Sequence, residues 1–201
     1  MSKYVNSNNE VYEGDLDLQV LRHTASHIMA QAIKRLFPQA KLAIGPAIEN
    51  GFYYDIDVEP KLVEADLEKI EAEMKKIIKE NLKIESFKLP RQEALKLMEE
   101  RNEPYKVELI NELPEDEEIS FFKQGEFVDL CVGPHLLYTK ALKAFKLFFN
   151  LKKAEFGLAI PGNSNNYTYV QLEYCHYSSL LGKETEIRRG KVACLVLLVR
   201  K

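Results

Sequence analysis

Hydrophobic residues in the first part of the chain recur at the spacing of a helix. Steps of three and four positions separate the members of one apolar row, which comprises Leu18, Leu21, Ala25, Ile28, Ala32 and Leu36. Such a row forms one face of an amphipathic helix. Asp15 or Asp17 is a suitable N-cap, and Pro38 cannot continue a helix. The pattern therefore predicts a helix that begins near Asp15 and ends before Pro38.

Short alternating segments and further helical patterns follow. The dipeptide Asn50-Gly51 is typical of a tight hairpin, here between strands at about 41–44 and 52–58. A second apolar row predicts a helix with Val63, Leu67, Ile70, Met74 and Ile77 on its buried face. The remaining predicted elements are a strand at 84–89, a helix from Pro90 to Glu100 and a strand at 143–149. Helices that alternate with short hairpin strands indicate an α+β fold, with small antiparallel sheets packed on the helices, rather than a doubly wound sheet.

The two ends of the chain have weaker patterns. Residues 1–14 contain few apolar side chains and are predicted to form a mobile leader. Residues 15–150 carry the regular pattern and are predicted to form the folded domain. In residues 151–201 the periodicity weakens, apart from the apolar run 192–199, which must be buried to avoid aggregation. We expect this C-terminal segment to pack poorly on the domain.

Composition restricts the class of protein. The chain has 201 residues, 46% hydrophobic and 29% charged, which suits a globular protein with a real core. A formal net charge of −3 argues against a general nucleic-acid coat protein but leaves room for a local basic groove. The N-terminus lacks a secretory signal pattern, and no apolar run reaches the roughly 18 residues of a membrane span. Three cysteines without framework spacing are typical of a reducing compartment, so we expect a cytoplasmic protein with no membrane partner.

Two of the four histidines stand four positions apart in the predicted first helix. His23 and His27 therefore share one face, nearly opposite the apolar row. Taken alone, the pair is as consistent with solvated or second-layer histidines as with a site. The segment FVDLCVGPH adds Cys131 and His135, which a turn at the intervening Gly-Pro can bring to one point.

These four side chains permit two kinds of chemistry. They supply the nitrogen and sulfur ligands that a tetrahedral Zn²⁺ ion accepts. The same groups could instead act without a metal, as hydrogen-bonding and acid-base groups around a bound water. Asp129, two residues before Cys131, adds a carboxylate on the same face if this segment is a strand. A single free cysteine is more often a small, buried apolar residue. The prediction of a functional site therefore rests on the four side chains together.

Three segments together resemble a known family. They are LRHTASHIMAQAIKRLFPQAKLAIGPAIENGFYYD, EPYKVELI and FVDLCVGPH. Between about Leu18 and Leu147 the chain closely resembles the editing domain of bacterial threonyl-tRNA synthetases, a module shared with alanyl-tRNA synthetases and their freestanding relatives. The resemblance implies the editing-domain fold and a substrate, the acceptor end of threonine tRNA wrongly charged with serine. Such editing is needed because a pocket rejects a substrate that lacks one methyl group by only about 1 to 3 kcal/mol.

The resemblance also implies roles for individual residues. It carries over His23, His27, Cys131 and His135 as the central cluster, and it adds Lys106, Asp129 and Tyr54 to the site. Lys106 or a cluster histidine is expected to polarise or activate water, Asp129 to hold the seryl amine, and the two helical histidines to lie near the terminal ribose. The expected cofactor is none, or a Zn²⁺ ion held by the four-residue cluster.

The chain also departs from the family. The family usually has Arg where Val132 stands, and an aromatic stretch with Trp beyond position 147, whereas this chain contains no Trp. The chain has no room for the ATP-dependent aminoacylation domain, so ligase activity is not expected, and a synthetase that supplies that domain is a conceivable partner. Two alternatives to seryl-tRNA hydrolysis therefore remain open: a non-catalytic module that binds the tRNA acceptor end, and a zinc-dependent deacylase of the alanyl type.

Overall fold

The computed structural model describes residues 1–48, 51–143 and 145–148, together with four strands between residues 156 and 199. The helices in this part of the chain are α1 (Leu18–Leu36), α2 (Glu64–Glu80), α3 (Arg91–Glu100) and α4 (Pro104–Glu112). The strands are β1 (Ser2–Val5), β2 (Val11–Gly14), β3 (Lys41–Leu42), β4 (Ala47–Ile48), β5 (Gly51–Phe52), β6 (Asp55–Asp57), β7 (Ile84–Leu89), β8 (Ile119–Gln124), β9 (Phe127–Leu130), β10 (His135–Leu136), β11 (Phe145–Phe148), β12 (Phe156–Pro161), β13 (Tyr167–Leu172), β14 (Val192–Cys194) and β15 (Val196–Val199). These strands form small antiparallel sheets, in the orders β10-β1-β2, β11-β15-β5-β4, β12-β13, β14-β6-β3 and β7-β8-β9. The α+β fold predicted from the sequence is confirmed.

Helix α1 lies at the centre of the fold, with the predicted boundaries. Asp17 is its N-cap, and the carboxylate accepts hydrogen bonds from the backbone N–H groups of Gln19 and Val20. The helix is buried on more than one face, because α2, β4, β5, β10 and β15 all contact it. Of the alternatives left open by the sequence, a solvated position does not hold for His27, which is only 2% exposed.

Helix α2 covers the main core. Leu67, Ile70, Met74 and Ile77 are buried, as their spacing predicts. Val63 is not part of this row, since it precedes the helix as its N-cap and is 53% exposed. The core that α1 and α2 share with the central strands fixes the position of the first helix.

A second, smaller core lies under α3 and α4. Strand β7 and helix α3 have the predicted boundaries, and Ala94, Met98, Ile110, Ile119 and Phe121 pack together between these helices and the β7-β8-β9 sheet. Helix α4 is not predicted by the sequence pattern, because its buried row is short. It begins with a proline at its first position, where no backbone N–H is needed.

The predicted strands at 41–44 and 52–58 are four shorter strands. Strands β4 and β5 pair antiparallel around the predicted hairpin, whose residues 49 and 50 lie outside the described part of the chain. Strand β3 pairs instead with β6, and the residues between β3 and β4 contribute to the cleft described below. Gly45 and Pro46, which lie between β3 and β4, therefore line the cleft and are not part of a sheet.

The N-terminal segment is not a mobile leader, contrary to the sequence expectation. Strand β1 pairs with β2 and also with β10, and Tyr4 and Val5 are buried. The Tyr4 hydroxyl accepts a hydrogen bond of 2.9 Å from the backbone N–H of Asp17, the cap of α1. The segment is ordered because its partner strand comes from a distant part of the chain.

The C-terminal segment contributes strands to the sheets. Strand β15 lies between β11 and β5, and β14 pairs with β6. The expectation that the segment after Tyr167 packs poorly on the domain is therefore wrong for these two strands. The predicted loop at 162–166 lies outside the described residues. None of the helices in the described part combines the length and apolar character that a bilayer-spanning helix requires.

Candidate active site

A cleft of about 620 Å³ opens between α1 and α4. Its walls come from α1, the segment 44–47, α4, the loop that precedes β8, and the segment 129–134 that ends β9. One end is polar, with His23, His27, Lys106, Asp129 and Cys131 on its surface. The rest is largely apolar, and the cleft is therefore suited to a ligand with one polar reacting group.

Helix α1 supplies two histidines one turn apart. The rings of His23 and His27 stand edge to face with centroids 5.2 Å apart, and His27 also meets the ring of Phe127 edge to face. Burial lowers the pKa of His27 to about 3 and lowers the pKa of the partly exposed His23 as well. Both imidazoles are therefore neutral at pH 7, and His23 is the more exposed of the two.

The segment after β9 brings a thiol and a third imidazole to these rings. The Sγ atom of Cys131 lies 3.3 Å from Nε2 of His23 and 3.3 Å from Nε2 of His135. Gly133 makes the turn possible, because its φ is +63° and an added Cβ would come within 2.3 Å of the Phe122 ring. Burial raises the pKa of the Cys131 thiol to about 12, so the sulfur is protonated at neutral pH.

Thr24 fixes the orientation of His135. Its hydroxyl donates to the backbone oxygen of Val20 at 2.9 Å and accepts from the backbone N–H of Leu136 at 2.9 Å. Since this proton is already used, the hydroxyl can only accept from Nδ1 of His135, 3.3 Å away. We infer that His135 carries its proton on Nδ1 and turns an unprotonated Nε2 toward Cys131.

A second group of polar side chains adjoins the histidines. Lys106 and Asp129 are each 3% exposed, and Nζ of Lys106 lies 2.6 Å from Oδ1 of Asp129. The buried Tyr54 hydroxyl donates to Oδ2 of Asp129 and accepts from Lys106 at 3.2 Å. Oδ2 of Asp129 also lies 3.5 Å from Nε2 of His27, which joins this group to the cluster.

The electrostatics of this group keep Asp129 ionised. Burial by itself raises the pKa of a carboxyl, but the Lys106 ammonium and the hydrogen bonds from Lys106 and Tyr54 more than offset it, so the pKa of Asp129 is lowered. Burial and the adjacent carboxylate raise the pKa of Tyr54 well above its usual value. The site therefore holds a carboxylate and a neutral phenol in contact.

Gly45 determines where the Tyr54 ring can lie. A Cβ atom at this position would stand 2.1 Å from Cδ2 of Tyr54, far inside van der Waals contact. The carbonyl of Gly45 accepts a hydrogen bond of 2.8 Å from the hydroxyl of Ser26 on α1. This bond holds the segment between β3 and β4 against the helix. The phenol reaches Asp129 only because this position has no side chain.

The cluster of three imidazoles and one thiol is compatible with a metal ion. The ligand atoms of His23, His27, Cys131 and His135 lie within 4.8 Å of one another. Neutral imidazoles are the form that binds Zn²⁺, and the hydrogen bond that Thr24 receives from Nδ1 leaves Nε2 of His135 available. The thiol would have to lose its proton on binding.

The structure brings together all the residues that the sequence singled out. Five line the cleft, and Tyr54 and His135 stand directly behind its wall. Sequence reasoning missed Thr24 and Gly45. Thr24 adjoins His23 in the chain, but its role depends on a strand 111 positions away. The importance of Gly45 is not predictable, because the steric limit that the Tyr54 ring sets on this position leaves no trace in the spacing of residues.

Val132 is the most exposed apolar side chain of the cleft wall. It is 75% exposed and lies between Cys131 and the Gly133 turn. Its side chain makes the outer rim of the cleft apolar.

Residues 119–168 match the family model described as "Threonyl and Alanyl tRNA synthetase second additional domain". Relatives include proteins named threonine--tRNA ligase from Acetivibrio thermocellus, 73% identical over 126 residues, and from Clostridioides difficile, 71% identical over 129 residues. The threonine--tRNA ligase of Clostridium kluyveri is 53% identical over 177 residues, or 88% of this chain.

The chain spans a limited part of these relatives. The matches cover 63%, 64% and 88% of this chain, but only 20%, 20% and 26% of the three relatives' lengths. The chain is therefore similar to threonine--tRNA ligases over one region, which includes the stretch that matches the second additional domain of threonyl and alanyl tRNA synthetases.

Proposed function

We propose that this chain hydrolyses the ester of serine wrongly attached to threonine tRNA. One observation carries the proposal: the Lys106–Asp129–Tyr54 group and the histidine–cysteine cluster share the polar end of a single cleft. The similarity to threonine--tRNA ligases and to their second additional domain supports tRNA as the partner, with the acceptor end in the cleft.

Asp129 is suited to bind the amine of the seryl group. Its carboxylate is ionised, as argued above, and it borders the open cleft. Tyr54 donates to Oδ2 and so holds the carboxylate in one orientation. A charge-assisted hydrogen bond from the substrate ammonium to this carboxylate would place the ester carbonyl beside Lys106 and His23.

Lys106 and His23 are suited to the hydrolytic step. Water attacks the ester carbonyl carbon, and the negative charge that develops on the carbonyl oxygen is stabilised by the Lys106 ammonium. The neutral imidazole of His23 accepts the proton of the attacking water and returns it to the leaving ribose oxygen. The acyl carbon–oxygen bond breaks, and serine and tRNA with free ribose hydroxyls are the products.

The discrimination between serine and threonine rests on size. Exclusion of one extra methyl group by a rigid pocket is a stronger filter than the rejection of a smaller substrate, which is limited to about 1 to 3 kcal/mol. The buried ring of Tyr54 and the packed histidine rings leave the polar end of the cleft little freedom to expand. We expect threonyl-tRNA to be spared for this reason.

Zinc-dependent hydrolysis of the alanyl type is the second candidate function. The observation that favours it is the cluster of three imidazoles and one thiol. When bound, a Zn²⁺ ion would act as a Lewis acid and lower the pKa of a bound water. His23, His27, Cys131 and His135 would hold it. The metal-free route is preferred because Lys106 already supplies a positive charge next to Asp129.

The direct test is single-turnover deacylation. Threonine tRNA charged with serine and the same tRNA charged with threonine are mixed in parallel with excess protein. We expect hydrolysis of the seryl ester at least about 100-fold above the rate without protein, and little effect on the threonyl ester. Equal hydrolysis of both esters would refute the size filter. Hydrolysis of neither, with tRNA binding intact, would instead support a non-catalytic acceptor-end module.

A further inference from the structure

A buried carboxylate lies immediately before the helix that carries Lys106. Glu103 is 6% exposed and precedes the first residue of α4. Its Oε1 atom is 2.6 Å from Nζ of Lys34, and its Oε2 atom accepts a 2.9 Å hydrogen bond from the backbone N–H of Leu42. Both oxygens therefore have partners, and these partners come from α1 and β3 rather than from α4 itself.

The ammonium of Lys34 joins three parts of the chain. Lys34 lies in the last turn of α1, and besides Glu103 it donates to the backbone oxygen of Ala40 at 2.8 Å and to that of Pro38 at 3.3 Å. One ammonium thus connects the end of α1, the segment that leads to β3 and the beginning of α4. The pair is shielded from solvent, with side chains 22% and 8% exposed.

This connection lies close to the proposed catalytic lysine. The backbone N–H groups of Lys106 and Val107 donate to the backbone oxygen of Glu103 at 3.1 and 3.2 Å, so Glu103 belongs to the first turn of α4. Helix α1 carries His23 and His27 nearer its N-terminus than Lys34. The Lys34–Glu103 pair therefore determines how the helix with Lys106 sits against the helix with the histidines.

We propose that Lys34 and Glu103 are a positioning pair: they hold the start of α4 against α1 so that Nζ of Lys106 stays in contact with Asp129. This inference rests on the proposed function only for its kinetic consequence. The physical reason is that loss of either charge leaves the other one shielded from solvent without its partner, so the remaining group must find water or move, and the start of α4 is then no longer held against α1. A shift of the order of 1 Å at a catalytic group lowers the rate by about 100-fold.

The chain offers a matched control on the same helix turn. Arg35, the next residue, pairs with Glu126 at 2.6 Å and with Glu80 at 2.7 Å. Glu126 follows β8 and has no contact with α4 among the contacts described. Loss of this second pair removes an ionic contact of the same length from α1, at a more exposed carboxylate, but leaves the start of α4 in place.

The experiment compares Glu103→Gln with Glu126→Gln. The amide of Gln keeps an oxygen for the N–H of Leu42 but removes the charge that faces Lys34. In Glu103→Gln we expect kcat for seryl-tRNA deacylation to fall at least about tenfold and KM to stay within about twofold of the parent value. The reason is that the variant displaces Lys106, which stabilises the transition state. In Glu126→Gln both constants should stay within about twofold.

A second measurement does not depend on activity. The amine of Lys106 is buried and paired, so reductive methylation followed by peptide mass spectrometry should label it slowly in the parent chain. We expect labelling of Lys106 to become about tenfold faster in Glu103→Gln and to stay unchanged in Glu126→Gln. If the parent chain hydrolyses neither ester, the proposed function fails while this measurement still decides the positioning inference.

Two further variants separate positioning from general destabilisation. Lys34→Arg keeps the cation and should retain the parent kcat and the slow labelling of Lys106. The double variant Lys34→Met with Glu103→Gln should lose no more activity than Glu103→Gln alone, since the two residues act as a unit. Normal kcat and slow labelling in a folded Glu103→Gln protein would overturn the inference, as would equal defects in Glu103→Gln and Glu126→Gln.

Discussion

The Sγ atom of Cys131 lies 3.3 Å from Nε2 of His23, although 108 positions separate the two residues in the chain. One comes from the turn after a hairpin strand and the other from the buried central helix. The contact is made possible by two local features, the Gly133 conformation and the Thr24 hydrogen bonds. It connects two short motifs into one site, and the site borders the ion pair of Lys106 and Asp129.

Lys106→Met should separate a catalytic from a structural role. Loss of the ammonium leaves the Asp129 carboxylate buried without its cation, which costs about 3 to 5 kcal/mol of unfolding free energy, and the deacylation rate should fall at least about 100-fold. The double variant Lys106→Met with Asp129→Asn removes both charges. We expect it to recover most of the stability in urea denaturation but none of the activity. Recovery of the rate together with stability would show that Lys106 has no part in the chemistry.

Gly45→Ala should affect the site through Tyr54. The added methyl would collide with the phenol ring, so the ring or the 44–47 segment must move away from Asp129. We expect a loss of about 1 to 3 kcal/mol in unfolding free energy, together with a lower kcat. Gly14→Ala is the matched control, because there a Cβ would meet only Cε2 of Tyr4 at an ordinary 3.6 Å. A similar loss in both variants would argue against a specific effect on Tyr54.

Much of the fold follows from local patterns. Helix α1 is predictable because a capping aspartate, an apolar row and a proline mark its start, face and end. Strand β7 and helix α3 are predictable for the same reason. By contrast, β1 is ordered by pairing with β10 from over 130 positions away, and β15 is placed between two strands of other segments. Such strand pairings depend on the topology of the whole chain, and the local periodicity of apolar residues does not predict them.

The site was partly predictable from residue types. His23 and His27 form a pair at one helical turn, and the loop with Cys131 and His135 supplies complementary groups. Their convergence in space did not follow from spacing alone, and the resemblance to a family was needed to add Lys106. The burial of His27 was missed because amphipathic reasoning assumes one buried face, whereas α1 is covered on several sides.

Stability should fall in acid because of the buried histidines. The folded-state pKa of His27 is lowered to about 3 from an ordinary value of 6.5. Between these values the unfolded chain binds the proton and the folded chain does not, so the stabilising contribution is complete above about pH 6.5 and is lost as pH falls toward 3. In a buffer with a chelator, His27→Gln should show a shallower decline of unfolding free energy, by up to about 1.4 kcal/mol per pH unit. If the unfolding free energy of both proteins declined with pH at the same slope, the result would contradict a neutral, buried His27 in the folded state.

Removal of metal should leave the deacylation rate within about twofold, because the charge that stabilises the tetrahedral intermediate comes from Lys106 rather than from an ion. The test is dialysis against a chelator, metal analysis of the product, and single-turnover deacylation before and after. The donor cluster can still take up Zn²⁺ when it is added, and since the pKa of Cys131 is about 12, uptake at pH 7.5 should release about one proton per ion. Cys131→Ser is the control for that proton, since its hydroxyl does not ionise under these conditions. A rate that collapses on chelation and returns with Zn²⁺ would instead assign the reaction to the zinc-dependent alanyl type and make the cluster, not Lys106, the centre of the chemistry.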